Sequence, residues 1–383
     1  MEVIANAMVG SLGHDAATAC AAARAGLVRA TDLPFTVLDA NRDPEPASGH
    51  TVPILTGGFE GEPRLVRLLE GALRDLASQL PAELLASARL GFYLSLPARD
   101  REREGLARLD DETRAAYLEQ LKLATPDPQR VSERARGARI VKSAMHAAEL
   151  PGRPTCFSVA VSGHCGVMQL CGVAQEDLDH DRVDLALLCG VDSLVGADTL
   201  AWLDATRRLR SGEVPVGLAP GEAAGVSVAI SSLYRRHLEL PSQGRIQWSC
   251  RGSSAAPFFA GEGADGQGQA QAQLLEEVIQ ASRLGPTGQW FIVDQNGEEF
   301  RAQDFGRALL RLRARSLSDG DPTLCYPAAS FGDLGAAYGA IAICMALRAH
   351  DRGYAPSPAA IVVAHADGPQ RAACLVSSEV ADG

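Results

Sequence analysis

The sequence predicts an α/β protein whose sheets are covered by helices on both faces, and three observations carry that reading. Strands and helices alternate as β-α-β-α-β, and this order occurs twice along the 383 residues. The run VDLALLCGVDSL (183–194) is almost continuously apolar, as a strand covered on both faces must be. With 46% hydrophobic residues, the chain can bury a large core or two fused halves.

Residues 1–13 read as a first strand ending in a glycine turn, and 14–27 as an Ala-rich helix suited to close packing. Residues 28–60, punctuated by Pro and Gly, are expected to be irregular. EPRLVRLLEGALRDLASQL (62–80) places apolar residues at i, i+3, i+4 and i+7, an amphipathic helix. LGFYLSLP (90–97) reads as a strand. From Ala98 to about Arg139 the composition turns strongly charged with weak helical periodicity, which reads as a solvated helical insertion; the sharper alternative is a partner-docking or dimer-edge element.

PTCFSVAV (154–161) is expected as a buried strand, SGHCG (162–166) as a tight turn and VMQLCGVAQEDL (167–178) as a helix. After the strand at 183–194, the turn Gly221-Glu222-Ala223-Ala224-Gly225 feeds a further apolar strand ending at Ile230. The halves are divided as 1–235 and 236–383. In the second, GRIQWSC (244–250) and WFIVDQ (290–295) read as strands, 269–283, 300–317 and 331–353 as helices, and 359–366 with 371–378 as a hairpin turned by Asp367-Gly368-Pro369.

Composition excludes several function classes. A net charge of −11 argues against nucleic acid or an anionic membrane as partner. No apolar run approaches the ~20 residues of a membrane span, and the N-terminus lacks the basic start of a signal peptide, so a cytoplasmic protein is expected. Nine cysteines are scattered with no CxxC pair. Cys156, Cys171, Cys189, Cys344 and Cys374 fall inside apolar segments and read as buried free thiols in a reducing compartment. The eight histidines show no metal-ligand spacing. Gly261-Glu262-Gly263-Ala264-Asp265-Gly266 lacks the preceding tight strand and the downstream acidic residue of a nucleotide fingerprint. No metal and no cofactor are expected.

The block from Pro154 to Ile230 resembles the core of a β-ketoacyl synthase of the thiolase superfamily. There a strand delivers a nucleophilic cysteine to a helix N-terminus, followed by an Asp-Leu-Ala-Leu-x-x-Gly-Val strand and a Gly-Glu-Gly-Ala-Gly turn. The opening is similar too, with Gly10-Ser11-Leu12-Gly13 and a helix ending in Arg24-Ala25-Gly26. The resemblance implies a thiolase-like fold: duplicated βαβαβ halves in α/β/α/β/α layers.

It also implies a catalytic set that can be checked position by position. Counting back from Asp184 without a gap places the family's cysteine on His164; one extra residue in the loop 176–182 moves it to Cys165, and counting forward from Pro154 gives Ser162. All three stay open, with Cys165 the candidate nucleophile. The family's Val-Glu-Ala-His-Gly reads Val293-Asp294-Gln295-Asn296-Gly297, so Asn296 replaces the first histidine. Asn donates a hydrogen bond but cannot shuttle a proton. The Gly-His-Leu-Glu-Ala-Ala-x-Gly motif reads Gly332-Asp333-Leu334-Gly335-Ala336-Ala337-Tyr338-Gly339, with a carboxylate, Asp333, in place of the second imidazole. The supporting lysine corresponds to Ala328. General acid–base groups contribute about 10²–10⁴ each and an oxyanion donor about 10²–10³, so these losses leave little prospect of decarboxylative condensation.

The expectation is therefore a pseudo-ketosynthase acting through its surfaces as a homodimer, paired through 154–161. Gly190-Val191-Asp192-Ser193-Leu194, Ala219-Pro220-Gly221-Glu222-Ala223-Ala224 and Gly353-Tyr354-Ala355-Pro356-Ser357-Pro358 resemble a divergent branch found in type VI secretion gene clusters, which implies an effector or adaptor partner. The alternatives are acyl-thioester chemistry through Cys165 with Asn296 as oxyanion donor, and a chain-length-factor-like partner of an active ketosynthase subunit. A collapsed acyl pocket would be filled by Met168, Phe331 and Tyr338.

Overall fold

Each half of the chain builds a five-stranded sheet, and the two, joined edge to edge as one run of ten strands, repeat one strand order. The computed structural model describes residues 1–99, 101, 132–254, 268–282 and 284–378. The first half contains β1 (Glu2–Val9), α1 (Ala16–Arg24), β2 (Thr31–Leu38), β3 (Pro44–Gly49), α2 (Pro53–Thr56), α3 (Gly61–Ala77), α4 (Ala82–Ser87), β4 (Leu90–Ser95), α5 (Glu133–Ala147), β5 (Pro154–Ala160), α6 (Gly166–Asp179), β6 (Leu185–Ser193), α7 (Ala197–Ala205), β7 (Glu222–Ile230) and α8 (Ser232–His237). The second contains β8 (Gly244–Ser253), α9 (Gln269–Ser282), β9 (Trp290–Val293), α10 (Glu299–Ala314), β10 (Thr323–Cys325), α11 (Ala328–Phe331), α12 (Tyr338–Asp351), β11 (Ala359–His365) and β12 (Gln370–Ser377).

The strand orders are β5-β4-β6-β7-β1 and β10-β9-β11-β12-β8. In the first half β4 pairs in parallel with β5 and β6, and β7 pairs antiparallel with β6 and β1; in the second β9 pairs in parallel with β10 and β11, and β12 pairs antiparallel with β11 and β8. The sheets join where Glu2 and Val3 pair with Arg245 and Gly244. Between them lie α6 and α12, each packed against strands of both halves. Their residues Val167, Met168, Leu170, Ile341, Ile343 and Leu347 form the central core with Leu188, Ile292 and Val362. Outside, α3 and α5 cover the first sheet and α9 and α10 the second, each over its own apolar cluster. This is the expected five-layer duplicated α/β fold.

Glu222, in the expected glycine turn, is completely buried at the start of β7. Its carboxylate accepts from Val52 N (2.7 Å), Thr56 Oγ1 (2.8 Å), Arg64 Nε (2.6 Å) and Ser193 Oγ (2.9 Å). A buried carboxylate needs that full set of donors. It ties the loop after β3 and the helix α3 to the sheet.

Four expectations need correction. Residues 28–60 are not irregular: they form the hairpin β2–β3, whose Leu33, Val37 and Ala47 bury against Leu194, Leu200 and Trp202. Its prolines sit in a separate two-stranded sheet, where missing N–H groups interrupt no central ladder. β5 is an edge strand and only half-buried rather than buried, so Cys156 is also half-buried, its Sγ donating to Asp177 Oδ2 at 3.2 Å. The helix expected over 331–353 is broken, because Gly332 (φ 72°) and Gly335 (φ 48°) leave the helical region and α12 starts at Tyr338. The charged segment does not extend to Arg139, since α5 begins at Glu133 and buries Arg136, Ile140 and Val141. Asp100, residues 102–131 and the Gly-rich loop 255–267 lie outside the described residues.

Candidate functional site

The chemistry-bearing side chains gather at the carboxyl ends of strands from both sheets, the usual place for a site in an α/β sheet. Ser162, His164 and Cys165 sit where β5 hands over to α6 through a single 3₁₀ turn, Gly163–Cys165. Gly163 enters that turn at φ 50°, a conformation that favours glycine. Asn296 follows β9. Asp333 lies in the turn before α12, pinned by its own N–H to Ala219 O (2.7 Å) and by its carbonyl to Gly221 N (2.9 Å).

Of the three residues competing for the nucleophile position, His164 is the one whose side chain reaches Asp333. Its Nε2 lies 2.8 Å from Asp333 Oδ1, and its Nδ1 lies 3.4 Å from Arg301 Nη2. A guanidinium carries only donors, so Nδ1 accepts and the ring proton sits on Nε2, toward Asp333. Asn296 Nδ2 donates to Asp333 Oδ2 and to Glu298 Oε2 (2.9 Å). The fold thus brings His164, Asn296 and Asp333 into one hydrogen-bonded cluster. Burial would raise the Asp333 carboxyl, but His164, Arg301 and Asn296 together hold it well below the usual carboxylate range.

Cys165 points elsewhere. It is fully buried at the N-cap of α6, its Sγ facing Ala364 O and Gln370 O at 3.5 Å. Burial, with Asp294 nearby, pushes the thiol up to about 12. Ser162 is half-buried, and Ala328 opens α11, where its carbonyl accepts from Gly332 N at 3.0 Å. The bulky candidates are all buried in the central core. Tyr338 stacks obliquely on His164, with centroids 5.6 Å apart, and its hydroxyl donates to Ile292 O (2.9 Å) and Val363 O (2.8 Å).

Around this cluster runs a charge network that sequence reasoning missed. Arg301, entirely buried on α10, donates to Asp294 Oδ2 (2.7 Å), His365 O (2.7 Å) and Asp367 Oδ1 (2.9 Å). Arg208, from the loop after α7, bridges Glu298 (2.6 and 3.0 Å) and Asp367 (2.8 and 3.3 Å). His365 spans Asp294 Oδ1 (2.7 Å) and Asp304 Oδ2 (3.1 Å), and Arg371 Nε lies 3.3 Å from the same Asp304 oxygen. Burial opposes the charge on His365, yet the two carboxylates raise its pKa. Burial likewise opposes ionisation of Asp294 and Asp304, but their cationic partners bring both down to about 2. In sequence, Arg301 and Asp304 look like the polar face of an amphipathic helix and Asp367 like a turn residue. Nothing local marks them as partners across 60 residues or more.

A cavity of about 310 Å³ opens onto the cluster. Ser162, His164, Asp192, Arg208, Asp333 and Asp367 line it, with Trp202 and Leu203 as its apolar side. Cys165, Asn296 and Ala328 do not line it. It falls at the lower end of the range for small-molecule sites.

No family model matches the chain, and no curated protein matches it. Solved structures do. A ketosynthase from module 6 of the bacillaene synthase of Bacillus subtilis 168 superposes with a TM-score of 0.69 at 13% identity, over 99% of this chain and 72% of that one. A β-ketoacyl synthase from Burkholderia phymatum STM815 gives 0.70 at 15% identity, over 99% of both chains. A type II polyketide ketosynthase, in complex with its acyl carrier protein and bound to the hexaketide, gives 0.71 at 12% identity, again over 99% of both. At these identities the likeness is one of architecture, and the chain has the thiolase-like fold of ketosynthases over essentially its whole length.

Proposed function

We propose that this protein is a ketosynthase-fold pseudoenzyme that acts by binding a partner and not by condensing acyl groups. The observation that carries the reading is the engagement of His164 on both nitrogens, by Asp333 and by Arg301. A base needs a free lone pair, and an oxyanion site needs donors aimed into the cavity. Here the lone pair accepts from a guanidinium, and the carboxylate of Asp333 would repel a developing enolate. The buried, protonated thiol of Cys165 weighs in the same direction, since the thiolate is the reactive form.

The scaffold role is an accessory one. The motifs at 190–194, 219–224 and 353–358 support placing the chain in the branch found in type VI secretion clusters, with an effector-loading adaptor as the matching role and a homodimer as its assembly. A ketosynthase seen with its acyl carrier protein among the similar structures supports a protein partner.

The test is intact-mass labelling at pH 7 with acetyl-, malonyl- and long-chain acyl-CoA, and separately with iodoacetamide, against Cys165→Ala. No acylation is expected, with alkylation at Cys165 at least about tenfold slower than for a free exposed thiol. Stable acylation lost in Cys165→Ala would restore the enzyme reading. Pull-down with the wild-type protein then seeks the partner, and co-purification of an active ketosynthase subunit would favour the chain-length-factor-like role.

A further inference from the structure

Roughly 20 Å along α12 from Tyr338, at 1.5 Å per residue, the molecule carries a second cavity of about 500 Å³ that shares no residue with the first. It lies between α1 and the C-terminal end of α12. Its shallow apolar floor is formed by the exposed Ala17 and Ala21 over the buried Cys20, and it is lined beside them by Arg24, Arg348, Arg352 and Tyr354.

Arginine in the last turn of a helix complements the helix dipole, and each of these could be explained singly. Their convergence is different. Two helix ends bring three guanidiniums to one groove, where they repel one another, in a chain whose net charge is −11. Among the described residues, the carboxylate ion-paired to them is Asp351, shared by Arg348 (3.0 Å) and Arg352 (3.4 Å). Arg24 makes no ion pair among the described residues; its guanidinium stacks 4.2 Å above the Tyr354 ring. That stacking holds Arg24 at the rim with its N–H edge available to a ligand. The wall therefore sets three guanidiniums against the one carboxylate of Asp351, above an apolar floor walled by an aromatic ring.

We propose that this groove binds a small oxyanion, a phosphate or carboxylate carried on a flat apolar body. The anion would sit between Arg24, Arg348 and Arg352, and the apolar body would lie on the alanine floor beside Tyr354. Planar guanidiniums bind both oxyanions in bidentate fashion. The site is independent of the His164 cluster and stands whether or not the pseudoenzyme reading holds.

Calorimetric titration of the protein at low salt with phenyl phosphate, benzoate and inorganic phosphate tests it. Saturable binding of phenyl phosphate or benzoate is expected, with a Kd of about 1 mM or below and weakened at least about tenfold in Arg24→Gln/Arg352→Gln. Inorganic phosphate should bind more weakly than phenyl phosphate, because it leaves the apolar floor empty. Comparing phenyl phosphate with benzoate decides which oxyanion is preferred. Both substituted side chains are exposed, and circular dichroism and a melting curve check that the double variant is folded. Absence of saturable binding by all three probes, binding unchanged in the double variant, or inorganic phosphate binding as tightly as phenyl phosphate would each overturn the proposal.

Discussion

His164, Asn296 and Asp333 are each hydrogen-bonded where they stand. The carboxylates around them have a measurable consequence. Their cationic partners hold Asp294 and Asp304 down to about 2 in the folded chain, against an ordinary value of 3.8. Between those values the unfolded chain binds more protons, so stability present above about pH 4 is lost as pH falls toward 2. Each carboxyl contributes about 2 kcal/mol of this loss. His365 has the opposite sign: its raised pKa adds stability below its unfolded value, and this disappears as pH rises through the folded one. Urea unfolding between pH 5 and pH 2 should show the acid-side loss, shallower in Asp304→Asn. An identical slope in the variant would count against the network's role.

The central helices α6 and α12 cross through glycine. A Cβ at Gly339 would lie 2.9 Å from Val167 Cβ, closer than carbon atoms pack. Gly339→Leu should therefore cost about 1–3 kcal/mol by overpacking, read as a lower urea midpoint at unchanged slope. Gly172, exposed on α6 with nothing within 4 Å of its missing Cβ, is the control. Gly172→Ala should be neutral or stabilising by up to about 1 kcal/mol. At this scale most of the fold was legible. Apolar patterning placed α3, α6, β6, β7 and the β11–β12 hairpin within a few residues, because the helices bury one face and these strands are buried on both. The β2–β3 hairpin was missed although Leu33, Phe35 and Val37 alternate, because the intervening prolines read as breakers. They are tolerated only because this sheet has two edges.

Across the whole molecule, Arg208 connects the halves. It leaves the first half after α7 and ion-pairs with Glu298 and Asp367 of the second, all in or beside the cavity wall. Removing it leaves Glu298 and Asp367 only partly compensated, by Asn296 and Arg301, so Arg208→Ala should cost about 3 kcal/mol. Arg89→Ala, which breaks the surface pair with Asp184 (2.6 Å), should cost about 1 kcal/mol or less. Chemical denaturation of both variants measures the contrast, and equal losses would remove Arg208 from any role in joining the halves.

The residue pattern alone predicted the α/β class and the doubled β-α-β-α-β order, and the resemblance to ketosynthase motifs aligned Asn296, Asp333 and Ala328 with that family's two histidines and lysine. These are properties of local spacing and of motif positions, which a one-dimensional chain displays directly. It left Ser162, His164 and Cys165 undecided, because a difference of one residue in a turn cannot be resolved by counting. Only the folded chain decided which of the three meets Asp333, since the answer depends on the direction of side chains leaving a 3₁₀ turn. The same holds for Arg208, Arg301, His365 and Asp367. Charges on separate elements look solvated in sequence, and they become a buried network only when two sheets and the helices between them close around them.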